Sequence, residues 1–182
     1  MNKKVAIIDY GINNISSILK IFKKTEIEAN IITEQEKLDN YKYIILPGVG
    51  SFDYGMKNLE AKGFKDKILQ LYKKGNFLLG ICLGMQLFLQ KSEESENETM
   101  GLSIFKGNCK KIKNLEDRSI QSPHIGWNNL EIKKNCQLTE NLENNFDGYF
   151  VHSYFVDLEE KNQIIATTKH GVEFPSIIKN EN

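Results

Sequence analysis

The chain has 182 residues, 40% of them hydrophobic, which suits one domain with a full core. Lys plus Arg and Asp plus Glu balance at 24 each, so no basic surplus points to nucleic acid or an anionic membrane. The longest apolar stretch, 77–89, is interrupted by Gly80, Cys82, Gly84 and Gln86 and is too short to span a bilayer.

The N-terminal run Val5-Ala6-Ile7-Ile8 ends in Asp9, so it reads as a strand buried on both faces rather than as a signal peptide. Asp9-Tyr10-Gly11 turns the chain, and Asn13 or Asn14 can cap the helix whose apolar face is Ile15, Ile18, Leu19 and Phe22. Strands are expected at 30–33 and 43–46. A helix carries Phe64, Ile68, Leu71 and Tyr72, with Gly75 at its C-terminal cap. A strand at 77–81 leads into a helix at 83–91. The alternation predicts an α/β fold with a doubly wound, mostly parallel sheet. The second half changes character. An acidic, solvated loop at 92–98 precedes short β-type runs at 103–106, 109–112, 129–132, 148–158 and 164–170, an added antiparallel region. No linker divides the chain, so 1–182 reads as a single domain.

Three cysteines, Cys82, Cys109 and Cys136, without CxxC spacing, argue against a disulfide framework or a zinc site and fit a reducing cytoplasm. A cysteine is most often a buried structural residue, and Cys109 and Cys136 read that way. Cys82 differs, because it sits in Gly80-Ile81-Cys82-Leu83-Gly84 at a strand-to-helix junction. Glycines there make room for a sharp turn that exposes the thiol, a nucleophile elbow, and the helix beyond it favours thiolate. Pro47-Gly48-Val49-Gly50 ends the preceding strand. It is an ordinary turn or a loop whose amides face a developing oxyanion, at the carboxyl ends of the strands.

These segments, with Ile8-Asp9-Tyr10-Gly11, Gly84-Met85-Gln86, Pro123-His124-Ile125-Gly126-Trp127-Asn128 and Val151-His152-Ser153-Tyr154, resemble the class I, or triad, glutamine amidotransferases. More narrowly, they resemble the glutaminase subunits of imidazole glycerol phosphate synthases. The resemblance implies that Cys82 attacks the glutamine amide and forms a γ-glutamyl thioester. It implies an oxyanion held by the Leu83 N–H and by the loop of Gly48, Val49 and Gly50. Gln86, Ser153 and Tyr154 would bind the substrate, and His124, Gly126, Trp127 and Asn128 would face a synthase partner. Ammonia would pass to that cyclase subunit, in a heterodimer using neither metal nor organic cofactor. His152 reads as a satisfied structural histidine and His170, in Lys169-His170-Gly171, as solvent-exposed.

The chain departs from the family in two places. Asn13 stands where the family has glycine. No His-Pro-Glu motif, the family's base and its acid, occurs, so the domain reads as incomplete at its C-terminus and the 182 residues as lacking useful glutaminase activity. Two other functions fit the same motifs: a paralogue that supplies ammonia to a sugar amidotransferase in acetamidino-sugar formation, and a non-catalytic partner subunit.

Overall fold

The structure, a computed structural model, describes residues 4–12, 14–112 and 122–180. Strands β1 (Lys4–Ile8), β2 (Glu28–Ile32), β3 (Tyr43–Gly48) and β4 (Phe77–Cys82) form one sheet in the order β2-β1-β3-β4. Every ladder in it is parallel. Successive strand residues point to opposite faces, which explains the continuous apolar runs. Ala6, Ile8, Ile44 and Leu46 pack with helices α2 (Phe52–Ala61) and α3 (Phe64–Lys73). Val5, Ile7 and Ile45 pack on the other face against α1 (Ile15–Phe22). Helices on both faces make this the doubly wound α/β core expected. Each buried Ile or Leu stabilises it by about 1.5–3 kcal/mol. At the edge, β4 turns Phe77, Leu79 and Ile81 to the face that α1 leaves open, and they stay 42, 41 and 38% exposed.

Several elements differ from the sequence expectation. Helix α2 was not foreseen, although Phe52, Met56 and Leu59 bury one face; Gly55 inside it weakens the helical signal. Its first amide, Phe52 N–H, donates to Glu94 Oε2 at 2.8 Å, and Glu93 Oε2 accepts from Lys111 N–H at 2.9 Å. The acidic loop is therefore tied down rather than merely solvated, and it begins with the short strand β5 (Lys91–Ser92). Asn14 occupies the N-cap of α1 without a side-chain capping bond, and Asn13 lies outside the described residues. Gly75 does close α3, through Gly75 N–H to Tyr72 O at 2.9 Å and Asn76 N–H to Leu71 O at 3.1 Å.

The helix after Cys82 is shorter than expected. Helix α4 (Leu83–Gln86) ends because the Leu87, Phe88 and Leu89 carbonyls are taken by the amides of Leu102, Ile104 and Ser103, at 2.8, 2.8 and 3.1 Å. The same bonds hold 103–106 as an irregular segment instead of a strand. Beyond it come β6 (Gly107–Lys111), β7 (His124–Ile132), β8 (Asn145–His152), β9 (Tyr154–Leu158), β10 (Ile164–His170) and β11 (Val172–Ile178). They build an antiparallel sheet, β11-β10-β7-β8, and a smaller one, β5-β6-β9. The run read as one strand at 148–158 breaks at Ser153, where the chain leaves one sheet for the other.

Candidate active site

Strands β3 and β4 end side by side, with Gly48 in register with Cys82. Their carboxyl ends open on one crevice, where open α/β sheets bind ligands. Cys82 has φ 55° and ψ −116°, a left-handed φ that costs a side chain about 1–3 kcal/mol. That geometry turns the chain from β4 into α4 and sets the thiol outside the line of the strand.

The junction is packed without slack. A Cβ on Gly84 would overlap the Leu46 carbonyl, and one on Gly48 would stand 2.5 Å from the Tyr10 hydroxyl and 2.9 Å from Leu83 Cβ. Tyr10 is fully buried, and its hydroxyl has no hydrogen-bond partner among the described residues. Burial drives its ionisation upward, and the neighbouring Cys82 adds to the effect.

Cys82 is open to solvent, yet the protein atoms around its sulfur push the thiol above its ordinary value, with the Leu83 N–H pulling the other way. Four helical residues carry little dipole, so desolvation wins and the expected thiolate-favouring helix is corrected. Val49 also departs from its expected place among the oxyanion donors. Its N–H donates to Ile12 O at 3.2 Å and is spent there. Gly50 follows at φ 115°, and the Leu83 amide is the donor already turned to Cys82.

Gln86, on the last turn of α4, donates from Nε2 to the Tyr154 carbonyl at 3.1 Å. Two of the three residues expected to bind substrate are thereby joined across 68 positions of sequence. Ser153, at the break between β8 and β9, is half-buried, its carbonyl accepting from Ile112 N–H at 2.8 Å. Cys109 is fully buried, and its thiol is pushed up to about 12, first by desolvation and then by the charge of Glu94, which fits a structural residue.

The segment expected to face a partner splits into two sides. His124 is 3% exposed, so its partner-facing placement is corrected: the pleat turns it inward, onto Phe150, His152 and Phe174. Asn128, half-buried, bonds the Lys169 carbonyl at 3.0 Å and His124 Nε2 at 3.1 Å. His170 is not solvent-exposed either; it stacks on His124 with ring centroids 4.0 Å apart. His152 is satisfied at both nitrogens, by His124 and by the Tyr154 carbonyl. The other side of the pleat points out. Trp127 is 73% exposed and meets the ring of Tyr149 edge-on at 5.5 Å. Ile125 pairs with Val151 beside them, and Gly126 lies between at φ 135°. Tyr149 and Val151 escaped the sequence reading. Their signal was the period-two alternation of large apolar residues along both strands.

No three His, Cys, Asp or Glu side chains among the described residues are grouped to hold a metal ion. No helix among them is long and apolar enough to cross a membrane.

A parallel sheet whose strand turns through a cysteine into a helix is an architecture that presents a side-chain nucleophile, as acyl-transfer enzymes use it. The family model for class-I glutamine amidotransferases matches residues 6–182, and the chain belongs to that family. Within it, the chain is 39% identical over 178 residues to the imidazole glycerol phosphate synthase subunit HisH of Caldanaerobacter subterraneus subsp. tengcongensis, covering 98% of this chain and 85% of that one. It is 41% identical over 178 residues to the protein of the same name from Methanocaldococcus jannaschii, at 98% and 86% coverage. A crystal structure of a glutamine amidotransferase superposes with a TM-score of 0.69 at 17% identity, covering 92% of this chain and 85% of that one, a likeness of fold. These relatives favour neither the sugar-amidotransferase paralogue nor the non-catalytic subunit.

Proposed function

We propose that this protein is the glutaminase subunit of an imidazole glycerol phosphate synthase, releasing ammonia for histidine biosynthesis. The observation that carries the reading is Cys82 held at the elbow against Gly48, with Gln86 one turn further along α4. The Cys82 thiolate attacks the amide carbon of glutamine, and the carbonyl electrons move onto oxygen, forming an oxyanion to which the Leu83 N–H donates a hydrogen bond. The tetrahedral adduct collapses: its nitrogen takes a proton from solvent water, the C–N bond breaks and ammonia leaves. Water then hydrolyses the γ-glutamyl thioester to glutamate. Gln86, Ser153 and Tyr154 hold the substrate.

The apolar face of Ile125, Trp127, Tyr149 and Val151 suits a cyclase partner, since interface centres are aromatic and poor in charge. The heterodimer is a cytoplasmic lyase through which ammonia is channelled to the cyclase. Residues 1–182 form one amidotransferase unit.

A diazo-ketone analogue of glutamine tests the reading without needing turnover. It should alkylate Cys82, and glutamine should protect the thiol; labelling that glutamine does not slow would sink the proposal.

A further inference from the structure

The two inward histidines form a hydrogen-bonded chain whose direction is set from both ends. At one end, Asn128 Oδ1 accepts from Asn129 N–H at 2.8 Å and Asn128 Nδ2 donates to the Lys169 carbonyl at 3.0 Å. The amide is thereby oriented, and it can offer His124 Nε2 only an N–H, at 3.1 Å. His124 Nε2 must accept, so the ring's proton sits on Nδ1 and is donated to His152 Nε2 at 2.9 Å. At the other end, the Tyr154 carbonyl can only accept, so His152 carries its proton on Nδ1, 3.0 Å away. Both ends give the same answer: two neutral rings, each in the Nδ1–H tautomer. A second proton on either ring would set donor against donor. Burial and the neighbouring imidazoles press the same way, lowering both titrations.

The chain ends on a carbonyl that has another task. Tyr154 O is also the acceptor for Gln86 Nε2. We propose that His124 and His152 are positioning residues: as a neutral, directional pair they fix the Tyr154 carbonyl, and through it the Gln86 amide, in the geometry that receives glutamine. This rests on the glutaminase reading of the Cys82 crevice. His152 touches neither substrate nor thiol in this role. It acts through Tyr154, with β10, β7, β8, β9 and α4 linked by one series of bonds.

Two measurements on the full chain test it. Long-range ¹H–¹⁵N spectra at neutral pH should show both histidines as Nδ1–H tautomers. The glutamine concentration that half-protects Cys82 from the diazo-ketone should then respond to the bond, not to packing. His152→Leu removes the donor and should raise that concentration about tenfold, the scale of one buried hydrogen bond. His152→Asn keeps an N–H at the Nδ1 position and should stay within about threefold. His124→Asn, which retains the donor toward His152, should likewise stay close to the unsubstituted protein. An Nε2–H tautomer on either ring overturns the proposal. So do Leu and Asn variants at 152 that shift protection equally or not at all. Failure of the glutaminase reading looks different: the unsubstituted protein shows no glutamine protection, and the pocket role of the pair falls with it.

Discussion

Gly84 of the elbow lies against the carbonyl of Leu46 in the neighbouring strand, closer than any side-chain carbon could approach. The nucleophile turn is therefore positioned by backbone contact with the strand that ends in Gly48. Gly84→Ala should force the two apart, at about 3 kcal/mol or more, above the usual cost of overpacking. Urea unfolding checks the loss. A variant as stable as the parent would mean that the junction yields more readily than its packing indicates.

The Cys82 thiol titrates above its ordinary value because desolvation outweighs the Leu83 N–H. The thiolate fraction rises with pH, so a raised pKa moves the reactive range to higher pH. Iodoacetamide labelling of Cys82 should reach its half-maximal rate at a higher pH than a free-cysteine peptide measured alongside. A midpoint below the peptide's would show that the elbow itself activates the thiol.

Tyr10 buries its hydroxyl against Gly48 without a partner among the described residues. An unsatisfied buried hydroxyl costs about 1–3 kcal/mol. Tyr10→Phe should accordingly leave the unfolding free energy unchanged or raise it by up to about 1 kcal/mol. A clear loss of stability would reveal a bond that the hydroxyl makes in solution.

Trp127 is the most exposed of the large apolar residues on the β7–β8 face. Trp127→Ala should weaken binding of the proposed cyclase partner by about 2 kcal/mol, near thirtyfold, as aromatic anchors do. The thermal midpoint should not move, because the ring covers little of the core. Calorimetry of the complex together with a melt of the free chain separates the two effects.

Stability should also depend on the histidines. Burial first, then His170 and His152, lowers the His124 imidazole from 6.5 to about 4. Between those values the unfolded chain binds the proton and the folded one does not, so stability rises with pH through that window and is lost as pH falls. The facing groups are Phe150, His152, Phe174, His170 and Asn128. The urea midpoint of the parent should fall more steeply from pH 6.5 to about 4.5 than that of His124→Asn. Parallel slopes would show that the pair does not resist protonation.

The parallel core was legible because Val5–Ile8 and Tyr43–Leu46 are apolar at every position, as a sheet covered on both faces requires. The elbow was legible because two glycines bracketed one cysteine. What escaped depended on distant partners. Helix α4 stops where Leu102 and Ile104 claim its outgoing carbonyls, a contact no local pattern carries. His124 was assigned to the surface with its neighbours, yet strand alternation puts it under the sheet while Trp127 goes out. The spent amide of Val49 depended on Ile12, across a turn whose shape the residues alone do not dictate.

The bond from Gln86 to Tyr154 has a consequence for selectivity. Because a carbonyl can only accept, the nitrogen end of the Gln86 amide is turned to Tyr154 and its oxygen is turned away. On the side away from Tyr154 the residue speaks as an acceptor, and what it rewards is an N–H. Glutamine and glutamate share a shape and an α-ammonium but differ in whether the side chain carries hydrogens to give. On the proposed glutaminase reading, a Gln86 locked in this sense offers the substrate's side-chain amide an acceptor, for which the glutamate product has no side-chain hydrogen to give.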